Sequence, residues 1–330
     1  MTKKSETNKK EPTEAATPVI NVAPSPHVAS SSTTRQMMYD VLIALLPVVC
    51  VSIYLFKLYA VKQLAICLAS CLVSEAVFVK IRGKSITLTD GSAAVTGIIL
   101  ALSLPGTAPW YAGVIASVVA VSIGKIIFGG LGMNLFNPAM VGRAFVMISF
   151  AGVMGAAAYE HSGSAVDIIT QATPLNAFKQ SGISFPLLDM FLGTTNGSLG
   201  ETSAIACIIG GLYLCIRRTA SWEIPFSIIT TIVVISGIQD IVGPCSGRMV
   251  LHHLLGGAAL FGAFFIATDP VTSPLTSKGK LIFGTGVGMF IMLLRLFSGY
   301  PEGVMFAVLL MNAVTPLINR WTIPRPLGEE

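Results

Sequence analysis

Long apolar runs extend along the chain from residue 38 to residue 319, separated by short polar segments and by one longer segment, 152–201. A transmembrane helix needs about 20 mostly apolar residues, because hydrocarbon offers the backbone amides no hydrogen-bonding partner outside the helix. The pattern therefore predicts ten membrane spans. They cover residues 38–57, 61–80, 91–104, 109–128, 137–151, 202–217, 222–238, 249–267, 280–298 and 303–319.

Two of the predicted spans are shorter than the membrane is thick. The run GSAAVTGIILALSL (91–104) would be about 21 Å long as a helix, at about 1.5 Å per residue, against a hydrocarbon core of about 30 Å. The run NPAMVGRAF, which starts at residue 137, is similar and opens with Asn-Pro. Such segments predict broken helices around a buried site.

An internal repeat divides the chain into two halves. Segments 91–105 and 256–270 share Gly, Ala and Pro at matching positions, and a shift of five more residues pairs Lys125 with Arg295. Five spans per half is an odd number, so the second half must be inverted. The predicted fold is an all-α polytopic membrane protein of about ten transmembrane helices in two inverted five-helix repeats, with short or broken helices.

Composition agrees with the membrane class. The chain of 330 residues is 53% hydrophobic and only 11% Asp, Glu, Lys and Arg, whereas soluble domains carry about 25% charged residues. The net charge of +5 comes from short basic stretches beside apolar runs rather than from one basic face. This distribution argues for lipid, and against nucleic acid, as the partner of the surface.

The positions of Lys and Arg predict the orientation in the membrane. With the N-terminus in the cytoplasm, fourteen basic residues fall in cytoplasmic segments and four fall outside, as the positive-inside rule requires. Both termini are then cytoplasmic. The predicted organisation is a disordered tail (1–34), a first repeat (35–151), an extracytoplasmic loop (152–201), a second repeat (202–320) and a C-terminal tail (321–330).

Glu75 lies inside the second predicted span, where an isolated carboxylate is costly. One interpretation is that Glu75 faces the protein interior and contributes to an ion path. The alternative is a neutral or amine-paired carboxylate near the helix end, because Lys80 lies about one turn further on. The sequence alone does not choose between them.

The polar segment DIITQATPLNAFK (167–179) lies between two apolar runs in the extracytoplasmic loop. Pro174 biases Thr173 toward an extended backbone, which suits a hydroxyl that a second enzyme must reach. Taken alone, these residues are also typical of an ordinary polar loop.

Four blocks of sequence resemble one known family. They are SPHVASSSTTRQMMYDVLIALLP, TDGSAAVTGIILALSLP, GGLGMNLFNPAMVGRAF and ATDPVTSP, in this order. Together they resemble the family that joins the B subunit of the sodium-pumping NADH:quinone reductase to the D subunit of the Rnf complex, over roughly residues 25 to 320. The compact length and the SPH segment favour the Rnf branch.

The resemblance implies a covalent FMN. Members of this family carry FMN on a threonine through a phosphoester bond, formed by a periplasmic flavin transferase that recognises D-x-x-[S/T]-G-A-T. Thr173 matches the acceptor, and Asp167 and Thr170 match recognition residues, whereas Gln171 stands where the family usually has glycine.

The resemblance also implies a second, unattached flavin. Relatives bind riboflavin near NLFNPAM with help from an aspartate of the second half, and the matching residues are Asn134, Asn137 and Asp269. Asn side chains offer both donors and acceptors to a flavin edge. Helix capping by Asn137, ahead of Pro138, is an alternative that is compatible with this role.

The function implied is that of a membrane electron-carrier subunit in the bacterial inner membrane. It would relay electrons between ferredoxin and NAD⁺ in an Rnf-type complex, coupled to Na⁺ or H⁺ translocation. The expected partners are Rnf subunits of the A, B, C, E and G types, and the subunit is not expected to be active alone. Two alternatives are the B subunit of the Na⁺-translocating NADH:quinone reductase and a non-redox channel or transporter for small solutes.

Overall fold

A computed structural model describes residues 33–83, 88–154, 175, 186–195, 197–242, 249–256, 258–298 and 303–324. Within these ranges the secondary structure is helical, apart from one isolated β-bridge between Pro105 and Ser198. The helices belong to one compact unit that begins at Thr34. The prediction of an all-α polytopic membrane protein is confirmed.

Most of the helices follow the predicted spans, whereas Leu187–Leu192 lies in the predicted loop 152–201. In chain order they are α1 (Thr34–Phe56), α2 (Leu58–Ile81), α3 (Ser92–Ser103), α4 (Trp110–Val121), α5 (Pro138–Ser149, followed by a four-residue helix, Ala151–Met154), α6 (Leu187–Leu192), α7 (Ala204–Ile216), α8 (Glu223–Val242), α9 (Met249–Leu255), α10 (Ala259–Phe261), α11 (Ser277–Phe297) and α12 (Val304–Thr322). Two π-helical segments, Ser122–Ile126 and Gly262–Ile266, directly continue α4 and α10.

Five of the described helices, α1, α2, α8, α11 and α12, are long and apolar enough to cross a membrane. The apolar helices α3, α5 and α7, and α4 with its π-helical continuation, are shorter, at 10–17 residues. The expected short elements therefore occur at both predicted places, since α3 and α5 have 12 residues each. The predicted span 249–267 is interrupted as well, between α9 and α10.

The two halves repeat in the structure as they do in the sequence. Leu58 and Glu223, the first residues of α2 and α8, are 165 residues apart, as are Gly91 and Gly256 at the aligned glycines. Helix α2 packs against α4 as α8 packs against α11, and α4 packs against α5 as α11 packs against α12. The halves meet where α1 packs against its counterpart α7.

The C-terminal end of the short helix α3 has its carbonyls satisfied by another segment of the chain. Gly200 N donates to Leu102 O at 2.7 Å, and Leu199 N donates to Leu104 O at 3.2 Å. The Ser52 hydroxyl of α1 donates in turn to Leu199 O at 2.5 Å. Because lipid cannot satisfy backbone groups, this contact explains how a helix of 12 residues is tolerated inside the membrane.

Close contact between α1 and α7 depends on a glycine. A Cβ atom at Gly210 would clash with the carbonyl oxygen of Ala44 and the ring of Phe265. Gly237, on α8, is a matched site where a Cβ atom would meet nothing within 4 Å. Small residues at helix contacts let backbones approach closely in membrane proteins.

We expect Gly210→Ala to lower the free energy of unfolding by about 1–3 kcal/mol, because a packed interface cannot absorb the added methyl group. Gly237→Ala should leave stability unchanged or raise it slightly, since alanine favours a helix. Thermal unfolding of the purified subunit in detergent measures both. Equal stability of the two variants would contradict the close packing of α1 on α7.

Candidate cofactor site

A cavity opens between the two halves at the end of the molecule where α3 and α5 begin. The space between its wall residues is about 750 Å³ when the part that is open to the outside is counted. Much of its wall is apolar, from α1, α3, α7 and the π-helical segment after α10. These wall residues include Met38, Val41, Val95, Ile99, Leu214 and Phe265.

Asn134 and Asn137 of NLFNPAM and Asp269 of ATDP all line this cavity. Asn134 lies shortly before α5 of the first half, and Asn137 is the N-cap of that helix. Asp269 follows the π-helical segment of the second half. The structure thus brings together polar side chains that are more than 130 positions apart in the chain.

Asn137 holds two elements together. Its side-chain oxygen accepts from Met140 N at 3.3 Å, which caps α5 with Pro138 at the first helical position. Its side-chain nitrogen donates to Ile266 O at 3.2 Å. The expected capping role is therefore present, and the same side chain also connects the start of α5 to the end of the second π-helical segment.

Asn134 differs from Asn137 because its hydrogen bonding is incomplete. The residue is 8% exposed, and its Oδ1 atom is buried without a hydrogen-bond partner in the part of the chain that is described. Buried polar atoms in proteins are almost always paired, so this oxygen is available as an acceptor for a water molecule or a bound group.

Asp269 is held by its own turn. Its carboxylate accepts from Val271 N and from the Thr272 hydroxyl, both at 3.2 Å. Burial raises the pKa of the Asp269 carboxyl, and these two hydrogen bonds oppose that effect. The carboxyl consequently takes up a proton at a higher pH than an exposed aspartate does.

Glu75 forms a buried ion pair beside the cavity. Lys125 Nζ lies 2.6 Å from Glu75 Oε1, and the two side chains are 3% and 2% exposed, respectively. Lys125 also donates to the Ser92 hydroxyl at 2.6 Å, and that hydroxyl donates to Asp90 Oδ1 at 2.6 Å. Both Lys125 and Ser92 line the cavity.

The suggestion that Lys80 would supply an amine partner for Glu75 is wrong. Lys80 is exposed at the end of α2, and the amine comes from the π-helical segment after α4, 50 positions along the chain. In the sequence, the only sign of this role was the match of Lys125 to Arg295 in the repeat. Arg295 is also buried, and it donates to the carbonyls of His253 and Gly256.

A second buried ion pair was not predicted. Arg143 of α5 donates from both terminal nitrogens to Glu201 Oε1 at 3.3 Å. Glu201 belongs to the segment that pairs with the end of α3. No spacing in the sequence connects these two residues.

Thr173, Asp167 and Thr170, the residues assigned to FMN attachment, lie outside the described residues.

Because Asn137 has two roles, replacing it should lower the free energy of unfolding by more than the loss of a helix cap alone. Asn137→Ala should lower the free energy of unfolding by about 2 kcal/mol, because a cap and a further hydrogen bond contribute about 1 kcal/mol each. Thr276→Ala removes the cap of α11, on Gly279 N, and should cost about 1 kcal/mol. Equal losses in thermal unfolding would show that the bond to Ile266 contributes nothing.

Comparison with known proteins places the chain in a family. Residues 21–328 match the NQR2, RnfD, RnfE family. The D subunit of the sodium-translocating ferredoxin:NAD⁺ oxidoreductase complex of Acetobacterium woodii is 42% identical, over 94% of this chain and 95% of the relative. Its counterpart in the proton-translocating ferredoxin:NAD⁺ oxidoreductase complex of Clostridium ljungdahlii is 41% identical, over 94% and 96% respectively. The chain therefore belongs to the NQR2, RnfD, RnfE family.

Proposed function

We propose that this chain is the D-type membrane subunit of a bacterial, ion-translocating ferredoxin:NAD⁺ oxidoreductase. The observation that carries this proposal is the match over nearly the full length of two such subunits, at 42% and 41% identity. One of these relatives is named for Na⁺ and the other for protons, so the coupling cation of this chain is not fixed by its family. Electron transfer is the shared task.

We further propose that the cavity holds riboflavin. The cavity suits a flavin because an apolar wall faces its planar ring while polar groups meet its edge. Asn134 Oδ1 is an unused acceptor for the ring N–H, and the Lys125 ammonium is a donor for a ring carbonyl. A flavin bound there supplies the electron-carrying chemistry, and the protein supplies position and electrostatics.

The residues of this chain then have separate tasks at the cavity. Asn137 fixes the distance between α5 and the second π-helical segment, so it positions the wall. Asp269 and Lys125, which both line the cavity, would present one carboxyl group and one ammonium to a bound flavin. Apolar side chains such as Val95 and Phe265 limit water around the ring.

The second carrier in this proposal is FMN on Thr173, attached by a flavin transferase that recognises Asp167 and Thr170. Support comes from the sequence motif and from the count of basic residues, which puts the loop on the extracytoplasmic side. FMN outside and riboflavin toward the cytoplasm would give one carrier near each face of the membrane. Both termini are cytoplasmic in this arrangement.

Other subunits complete the activity. The A, B, C, E and G type subunits would supply the sites for ferredoxin and NAD⁺, and Glu75 would lie on the ion path of this subunit. Supporting this last role, Glu75 is a buried carboxylate in a spanning helix, a position that is costly unless function requires it.

Covalent attachment has a direct test. Thr173→Ala, co-expressed with the transferase, should give no flavin fluorescence in the denatured gel band, because only the attachment oxygen is lost. Thr170→Ser is the matched control and should keep the band, because the motif accepts either hydroxyl. A full-strength band in Thr173→Ala would place FMN on another residue, and a dark wild-type band would favour a non-redox transporter.

Riboflavin binding has a test that is independent of FMN. Asn134→Leu should weaken riboflavin binding about tenfold, since a hydrogen bond contributes about 1.5 kcal/mol, while stability and covalent FMN are kept. Asn137→Leu and Asp269→Leu should also reduce riboflavin extracted with solvent. Met133→Leu, at an exposed neighbour outside the cavity wall, is the control. Stoichiometric riboflavin in all three cavity variants would place the flavin elsewhere.

A further inference from the structure

We propose that Lys125 is shared between Glu75 and the cavity, so that negative charge arriving in the cavity is balanced by a monovalent cation taken up at Glu75. This inference rests on the proposed flavin in the cavity. It assigns to Lys125 the task of coupling electron arrival to cation binding, and to Glu75 the cation-binding oxygen.

The first support is the position of Lys125 in the wall between the two groups. Its ammonium has three hydrogens, and the described residues accept two of them, at Glu75 Oε1 and at the Ser92 hydroxyl. One hydrogen is available to a group in the cavity, which Lys125 lines. Lys125 lies in the π-helical segment Ser122–Ile126, and such segments occur frequently at functional sites.

The second support is the incomplete pairing of Glu75. Its Oε2 atom is buried and has no hydrogen-bond partner among the described residues. A carboxylate that is 1% exposed depends strongly on its ammonium partner. When that ammonium moves toward another negative charge, the carboxylate needs a new positive one.

The charges in the proposed step balance. One electron passes to the cavity flavin from a reduced one-electron carrier of the complex, which is oxidised. No covalent bond forms or breaks in this subunit. The ammonium of Lys125 shifts its interaction from Glu75 toward the flavin, and one cation, Na⁺ or a proton, binds at Glu75. Oxidation of the flavin reverses each change and releases the cation.

The ionisable groups that face this pair come from three parts of the chain. Cys71 lies on the same helix as Glu75 and interacts electrostatically with both members of the pair. Asp90, two residues before α3, reaches Lys125 through the Ser92 hydroxyl. Asp269 reaches the same cavity from the second half.

The experiment is a spectroelectrochemical titration of the intact, detergent-solubilised complex. The cavity flavin is identified as the component whose amplitude falls in Asn134→Leu. Its midpoint potential is measured over a range of Na⁺ concentration at fixed pH, and over a range of pH at fixed Na⁺. We expect it to rise with one of these cations, by up to about 59 mV per tenfold increase for one cation per electron.

The variants separate coupling from folding. In Glu75→Gln and in Lys125→Gln, the flavin midpoint potential should lose the cation dependence that this site causes. Lys125→Arg should keep that dependence. Because either single Gln variant leaves one buried charge alone, the double variant Glu75→Gln/Lys125→Gln removes both charges and should fold without any coupling. Lys80→Gln removes an exposed charge from the same helix and should behave as the wild type.

Two results overturn the inference without touching the proposed function. One is a wild-type cavity flavin whose midpoint potential depends on Na⁺ and on pH no more than it does in the double variant. The other is a full dependence that persists in Lys125→Gln or Glu75→Gln. A wild-type complex with no flavin in the cavity overturns the proposed riboflavin site, and this inference with it.

Discussion

A charge inside a membrane protein must meet an opposite charge or a set of dipoles, and the pair between Lys125 and Glu75 is where this constraint shapes the molecule most. Removing one partner of a buried pair typically costs about 3–5 kcal/mol. The pair joins α2 to the π-helical continuation of α4, and Ser92 adds the first residue of α3. Three helices of the first half are thus fixed around one ammonium, which also forms part of the cavity wall.

The same constraint operates in the rest of the structure with different partners. Arg143 meets Glu201, which fixes the segment that closes the end of α3. Arg295 occupies the position in the repeat that Lys125 occupies in the first half, and it donates to the backbone carbonyls of His253 and Gly256. The repeat therefore preserves a buried cation in each half, and in the first half this cation meets a carboxylate beside the cavity.

Hydropathy was sufficient to predict most of the helices. Ten apolar runs marked the helical segments, because hydrocarbon imposes its length on any span. The approach of Asn134, Asn137 and Asp269 was expected from the resemblance to the family, and the structure places all three in one cavity wall. The helix break within 249–267 was not predicted, because the hydropathy pattern predicts one continuous span there.

The partners of the buried charged side chains could not be predicted from the sequence, because they depend on tertiary packing. Lys80 lies nearer to Glu75 in sequence, but its side chain is exposed, whereas Lys125 comes from another helix. The hydrophobic pattern does not reveal the π-helical segments. These segments matter because Lys125 and Phe265, which line the cavity, belong to them. Glu201 became buried only because its segment pairs with the end of α3.

A flavin ring in the cavity between the two halves is what gives Asn134, Lys125 and Glu75 their proposed roles. Electron cryomicroscopy of the intact complex, purified with its native cofactors, tests for that ring directly. We expect density for a planar three-ring group in the cavity, with one edge within hydrogen-bond distance of Asn134 and Lys125. A lipid chain in that volume, or well-resolved side chains around water alone, would contradict the assignment.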